Sequence, residues 1–208
     1  MIAAPLTTLG RTLGFSFAAG INLYATVAIL GLASRYGWVA LPPQYQVFDN
    51  DWIIGTALVL YVVEFFADKV PWIDTIWDAV HTVVRPIGGA LIAVLTLGEA
   101  SPATATLVGL VGGTLAAGTH FGKASTRLMA NASPEPFSNW ILSVLEDAFV
   151  VGLGFLALKY PVAAGIVVVI GVVILIVCAH AIYRAIKRRL GGRRPAVNST
   201  TPQLPTPK

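Results

Sequence analysis

The sequence predicts an all-α, polytopic membrane protein of about six transmembrane helices, each needing roughly 20 apolar residues to cross a bilayer. Three observations predict it. Of the 208 residues, 56% are apolar and only 12% are charged, whereas soluble domains carry about a quarter charged residues. The apolar residues fall in long runs, and one of them, 162–183, holds no formal charge at all. Basic residues then gather directly behind that run. A soluble fold of this length could not hide so much apolar surface. Six spans take about 120 residues at that length, which leaves room for a single membrane domain, 1–183, and a tail, 184–208.

The elements follow in order. A first helix is expected over 12–33; Gly14, Ala18, Ala19 and Gly20 let neighbours approach closely, and Asn22 sits within it. The run is too long for the apolar part of a cleaved signal, and only Arg11 precedes it, so it is read as a membrane helix. A loop, 34–51, is broken by Pro42 and Pro43. The second helix, 52–67, carries Glu64. A polar stretch, 68–85, is bounded by Pro71 and Pro86. The third helix is expected over 85–97, starting as early as Thr75. Its purely apolar part is too short to span, so either 74–84 dips into the protein or the helix is broken. The fourth covers 102–121. Ser133-Pro134-Glu135-Pro136-Phe137 interrupts the chain before the fifth, 138–158, and the sixth covers 162–183. Beyond Arg194 the chain is rich in Pro, Thr and Ser and is expected to be disordered.

Charge gives the expected topology. The net charge is +4, and Arg184, Lys187, Arg188, Arg189, Arg193 and Arg194 form a juxtamembrane cluster. Such a cluster marks a cytoplasmic end and meets anionic lipid headgroups, so the expected partner is the bilayer and not nucleic acid. With six spans and both termini in the cytoplasm, Arg11, Lys69, Arg85, Lys123, Arg127 and the tail lie inside. Arg35 and Lys159 alone lie outside. A five-span alternative moves the N-terminus outside and leaves the C-terminus where it is. The single Cys178 excludes a disulfide framework, and a homo-oligomer is left open.

The halves 12–98 and 102–183 are candidates for an inverted repeat. Phe17-Ala18-Ala19-Gly20-Ile21-Asn22 matches Leu115-Ala116-Ala117-Gly118-Thr119-His120, each with a polar side chain two residues after Ala-Ala-Gly. Each half then has a proline-containing break and a helix with an embedded acid, Glu64 or Glu146. Inverted three-helix repeats are a feature of secondary transporters, whose sites lie near the midplane.

Several residues are candidates for chemistry. The fifth helix carries Glu146 and Asp147 side by side, at an insertion cost of about 2.5–3.5 kcal/mol each. Its eleven Leu, Ile, Val and Phe residues offset this by about 0.3–0.6 kcal/mol apiece, so the helix is marginal alone and must face partners or water. Glu64 and Asp68 share a helical face. An ion or proton pathway is therefore expected along Asn22, Glu64, Asp68, His120, Glu146 and Asp147; the alternative is that the acids pair with Arg85, Lys123 or Arg127 and only staple helices. Asp74, Asp78 and His81, spaced four and three, suit a divalent cation. The alternative there is an interfacial amphipathic helix with Trp72 and Trp77 as anchors. Lys123 and Arg127 with His120 form a basic face that could hold an anion or a phosphate. No Ser-His-Asp order, glycine-rich phosphate loop or Cys-pair zinc motif is present, which argues against the familiar hydrolases and nucleotide-driven pumps.

Four stretches together carry a resemblance: Gly20-Ile21-Asn22-Leu23-Tyr24-Ala25-Thr26, Glu64-Phe65-Phe66-Ala67-Asp68-Lys69-Val70-Pro71, Trp77-Asp78-Ala79-Val80-His81-Thr82 and Ser133-Pro134-Glu135-Pro136-Phe137-Ser138-Asn139. Over 13–158 the chain resembles a group of short bacterial integral membrane proteins known only as a domain of unknown function. The resemblance implies a multi-pass protein of the bacterial inner membrane and implies no activity. Glu64 to Lys69 is also similar to the acid-Gly-Asp-Lys motif of small six-helix cation/proton exchangers, with an extra residue between the acids and Ala67 in place of glycine. The leading expectation is a small ion transporter or channel. The rivals are a metal-dependent enzyme acting on lipid phosphate, and a membrane scaffold without a site.

Overall fold

The computed structural model describes residues 3–131 and 136–191. The 133–135 break and the tail beyond 191 lie outside the described residues. The described chain is all-α: α1 (Ala3–Ile21), α2 (Leu23–Tyr36), a 3-10 turn (Pro43–Phe48), α3 (Asp51–Ala67), α4 (Pro71–Leu97), α5 (Pro102–Asn131), α6 (Pro136–Lys159) and α7 (Pro161–Gly191). Contacts divide it into one unit ending at Leu175 and a second beginning at Ile176. In the second unit, 176–188 is helical with its side chains exposed.

Three helices, α4, α6 and α7, are long and apolar enough to cross a membrane. The distribution of polarity supports that reading. On α4, Asp74, Asp78, His81 and Arg85 are buried, while Ile76, Val80, Val83 and Ile87 are more than half exposed. A soluble protein shows the reverse; here an apolar surface faces outward and the charges face one another. The 74–84 stretch dips into the protein as part of one continuous helix, which carries Pro86 in its interior without breaking. The interfacial alternative, with its charged face in water, does not describe this helix.

The expected single helix over 12–33 is two helices. Asn22 has an extended backbone (φ −145°, ψ 101°) and caps the N-terminus of α2, its side chain accepting from the Ala25 N–H. The chain turns back at this point. Following α6 from Asp147 to Leu158, α1 is met in reverse order. Asn22 bonds to Asp147, Phe17 packs on Phe149 at 6.3 Å, Gly14 lies against Ala157, and Arg11 donates to the Leu158 carbonyl at 3.1 Å. From the same starting point α2 runs the other way along α6, with Ile29 against Gly154. Its far end returns to the level where α1 began. Arg35 pairs with Asp49 and Asp51 at 2.8 and 2.7 Å, and Gln44 of the 3-10 turn donates to the carbonyl of Thr96, whose hydroxyl meets that of Thr12 at 3.1 Å. Thus α1 and α2 form a helical hairpin with Asn22 at its tip. Asp147 lies about 17 Å from either end of α6 at a rise of 1.5 Å per residue, so the tip stops half-way along the bundle.

The packing around α1 is tight because it is small-residue packing. Ser16 donates to the Gly89 carbonyl of α4, and Thr119 of α5 donates to the Phe17 carbonyl at 3.0 Å. A Cβ on Gly20 would overlap Ala116 and Thr119, so only glycine lets α1 lie this close to α5. Going along α1 through Ser16, Gly20 and Ile21, the α5 neighbours are Gly112, Ala116 and Lys123. The two helices therefore run in the same direction. Inverted halves would set these matching segments antiparallel, and α5 continues unbroken through His120 where α1 ends at Asn22.

Candidate functional site

Around the hairpin tip the bundle encloses a network of charged side chains. The first layer is the tip itself. Beyond capping α2, Asn22 donates from Nδ2 to Asp147 Oδ1 at 3.0 Å. The break leaves the last carbonyls of α1 without helical partners, and cations take them: Arg85 donates to the Gly20 carbonyl at 3.4 Å and Lys123 to the Ile21 carbonyl at 3.3 Å. The negative end of the α1 dipole thus faces positive side chains, and the positive end of α2 starts beside a carboxylate.

The second layer centres on Arg85, which is fully buried. It donates to Glu64 Oε1 at 2.6 Å, to His120 Nδ1 at 2.8 Å and to Asp78 at 3.4 Å. A guanidinium can only donate, so His120 Nδ1 must accept. That assigns a neutral imidazole with its proton on Nε2, facing the Thr82 hydroxyl at 3.1 Å. His81 is also held at both nitrogens. Nδ1 stands 2.7 Å from the Trp77 carbonyl and Nε2 3.0 Å from the Tyr24 hydroxyl, with Trp77 stacked on the ring at 4.7 Å.

The third layer lies toward the α3–α4 turn. Lys123 reaches Asp68 at 3.0 Å, Glu64 at 3.3 Å and Glu146 at 3.7 Å. Arg127 grips Glu146 through Nη2 at 2.6 Å and through Nε. It also donates to Asp68 and to Asn139, both at 2.9 Å, and stands 3.8 Å from Asp74. Asn139 closes the layer by donating to the Asp68 carbonyl. A cleft of about 210 Å³ reaches this layer from outside, lined by Asp74, Asp78, Thr82, Phe121 and Arg127 among others. A larger groove of about 490 Å³ between α2, α3 and α4 is almost entirely apolar, with Leu23, Ile53, Leu60 and Leu91 in its lining; it offers no such chemistry.

The network does not balance. Among the described residues, Glu64, Asp68, Asp74, Asp78, Glu146 and Asp147 gather around Arg85, Lys123 and Arg127, with Lys69 facing Asp68 and Asp147 as a fourth cation. Ionised carboxylates in a low dielectric must be paired, protonated or bound to a cation. Glu64 Oε2, Asp68 Oδ1, Ser143 Oγ and Asp147 Oδ2 are buried without a hydrogen-bond partner.

The residues expected along an ion pathway are therefore brought together. The pairs of the stapling alternative form as well, for every acid of that set except Asp147. Asp74, Asp78 and His81 share one buried face as their spacing predicts, but among the described residues no group of three His, Cys, Asp or Glu side chains is arranged to hold a metal. Lys123 and Arg127 are engaged by carboxylates, carbonyls and Asn139. Like Arg85, both are buried inside the bundle and not on an exposed surface. Tyr24, Thr82, Asn139 and Ser143 were not singled out from the sequence as site residues. Arg85 was visible as the next position in the four-three-four spacing of Asp74, Asp78 and His81.

A family described as Domain of unknown function (DUF4126) matches residues 9–181. No curated protein and no solved structure matches the chain.

Proposed function

The chain belongs to that family, and we propose that it is a small secondary transporter that moves a cation in exchange with protons across the bacterial inner membrane. The observation that carries this reading is a broken-helix tip, half-way along an apolar-faced bundle, set against a buried cluster with more carboxylates than cations. Discontinuous helices near the midplane are how transporters present capping groups, carbonyls and helix dipoles to an ion. Re-entrant backbone at that depth is tolerated only where it is enclosed by protein or lines a cavity, and α4, α5 and α6 enclose this tip. The surplus negative charge favours a cation over an anion as cargo, and carboxylates that exchange a proton for that cation supply the coupling. The cleft beside Asp74 and Asp78 is the entry from the end of the bundle where the α3–α4 turn lies.

Flux in reconstituted vesicles tests this. Vesicles loaded with a pH-sensitive dye and, separately, with cation-sensitive dyes should show cation-dependent proton movement with wild-type protein. Glu64→Gln and Glu146→Gln should lose at least ten-fold of the rate while remaining monodisperse. Equal flux in wild type and both variants, or none in correctly inserted wild type, would rule the proposal out.

A further inference from the structure

Within the cluster Asp147 stands apart. Glu64, Asp68, Asp74, Asp78 and Glu146 each have a cation within 4 Å, and Asp147 has no such ion pair among the described residues. Its Oδ1 accepts from Asn22, and its Oδ2 is buried without a partner. The ionisable groups that face it are Tyr61, Glu64, Asp68 and Lys69 from α3 and the turn after it, and Lys123 from α5. Lys123 is already shared among Glu64, Asp68 and Glu146, and Lys69 lies over the Phe65 ring and donates to the Phe65 carbonyl. From α7 no charged residue precedes Leu175, and the hairpin tip brings only Asn22. Arg85 of α4 is taken by Glu64, Asp78 and His120. One turn before Asp147 on the same face of α6, Ser143 is fully buried with an unpartnered hydroxyl. Among the described residues Asp147 is therefore left without an ion pair, and the two lysines that face it are engaged elsewhere.

A single amide connects this carboxylate to the backbone of the tip. Asn22 Oδ1 accepts from the Ala25 N–H at 2.9 Å, and Asn22 Nδ2 donates to Asp147. The charge on Asp147 therefore bears on the first turn of α2 through one side chain. An ionised carboxylate accepts a hydrogen bond roughly twice as strongly as a neutral group does.

We propose that Asp147 is the proton-carrying site of the molecule and that Asn22 passes its charge state to the hairpin. Ionised Asp147 holds the tip against α6. Taking a proton on Oδ2 weakens the Asn22 bond and loosens the first turn of α2, which opens the cluster on the hairpin side. This assignment rests on the transporter reading for its role, but the site and the link are testable without flux.

Wild type, Asp147→Asn, Asp147→Glu and Asn22→Ala in lipid vesicles would be titrated by infrared difference spectroscopy in the protonated-carboxyl region, and hydrogen exchange of the 23–26 amides followed over the same pH range. Wild type should show a carboxyl band that grows as pH falls. Asp147→Asn should lose it, and Asp147→Glu should restore it at a shifted position. Exchange at 23–26, corrected for its intrinsic pH dependence, should rise several-fold at low pH in wild type. It should be independent of pH in Asp147→Asn and in Asn22→Ala, the latter keeping the band. A band that persists unchanged in Asp147→Asn places the proton elsewhere and overturns the site, and pH-dependent exchange retained in Asn22→Ala overturns the link. A wild type with the band and without flux would remove the transporter reading and leave the proton site standing.

Discussion

At the scale of single residues, the surplus of acid gives the buried cluster an asymmetry that stability can read. Removing one partner of a buried ion pair typically costs about 3–5 kcal/mol, because the other charge is left uncompensated. Arg127 is the partner of both Asp68 and Glu146 and also holds Asn139. Arg127→Ala should therefore cost about 3–5 kcal/mol. Glu64→Gln is a different change. Gln keeps the volume and still accepts from Arg85 and Lys123, and the cluster is left with one negative charge fewer among acids that repel one another. It should shift the unfolding midpoint much less than Arg127→Ala does, in either direction. Thermal unfolding followed by tryptophan fluorescence compares the two directly; equal losses would mean that the acids are not in excess in the folded protein. The same comparison separates a site from a staple, since a pure staple loses as much from either side.

At the scale of elements, the hairpin depends on how near α1 can come to α5. Gly20 and Gly118 occupy matching places in the two Ala-Ala-Gly stretches, yet they do different work. A Cβ on Gly20 would strike Ala116 and Thr119, while one on Gly118 meets nothing within 4 Å. Gly20→Val should cost at least about 1–3 kcal/mol from overpacking, and Gly118→Val should fold like wild type. Monodispersity and unfolding midpoints in detergent check both, and similar behaviour of the two variants would contradict the close α1–α5 contact. These two glycines also show where the sequence was readable. The boundaries of α3 and α6 and the start of α5 follow from apolar runs and prolines, and the inward face of α4 follows from the spacing of Asp74, Asp78 and His81; the end of α5 does not, since the helix runs past the apolar run that stops at 121 to Asn131, its last turns held by the buried charges of Lys123 and Arg127. The break at Asn22 was hidden because 12–33 is apolar on both sides of it, and hydropathy does not distinguish a helix that crosses from one that turns back. A legible signal was present in Asn22 itself, a strong N-cap residue placed where an uncapped crossing helix would leave its amide without purpose. The charged network was legible as a set of acids and bases but not as an arrangement, since long-range pairs such as Lys123 with Asp68 depend on how helices pack.

At the scale of the whole molecule, the hairpin changes sidedness. A first helix that crossed would put the N-terminus and the α2 end on opposite faces. Here the starts and ends of the hairpin share one end of the bundle: Arg11 lies beside the Leu158 carbonyl and Arg35 beside Asp49, with Thr96 and Gln44 at the same level. The transporter reading then predicts five crossings, α3 to α7, and an N-terminus on the side of the membrane opposite to the one that six crossings would give it. By the positive-inside rule, the same reading predicts that the basic cluster at 184–194 is cytoplasmic and the N-terminus is not. The charge rule tolerates the change easily, because only Arg11 moves outside, to join Arg35 and Lys159. Six crossings and five crossings with a hairpin place every later loop alike, so loops such as Lys69 or Ser101 cannot discriminate. The N-terminal end of α1 can. With Cys178 replaced by Ser, a cysteine at exposed Leu6 should react with a membrane-impermeant maleimide in intact cells, as one at Ser101 does, whereas one at Lys69 should react only after permeabilisation. Labelling of Leu6→Cys only after permeabilisation would restore a crossing first helix. It would also take the tip away from the midplane, and with it the geometric basis for both the ion site and the link between Asn22 and Asp147.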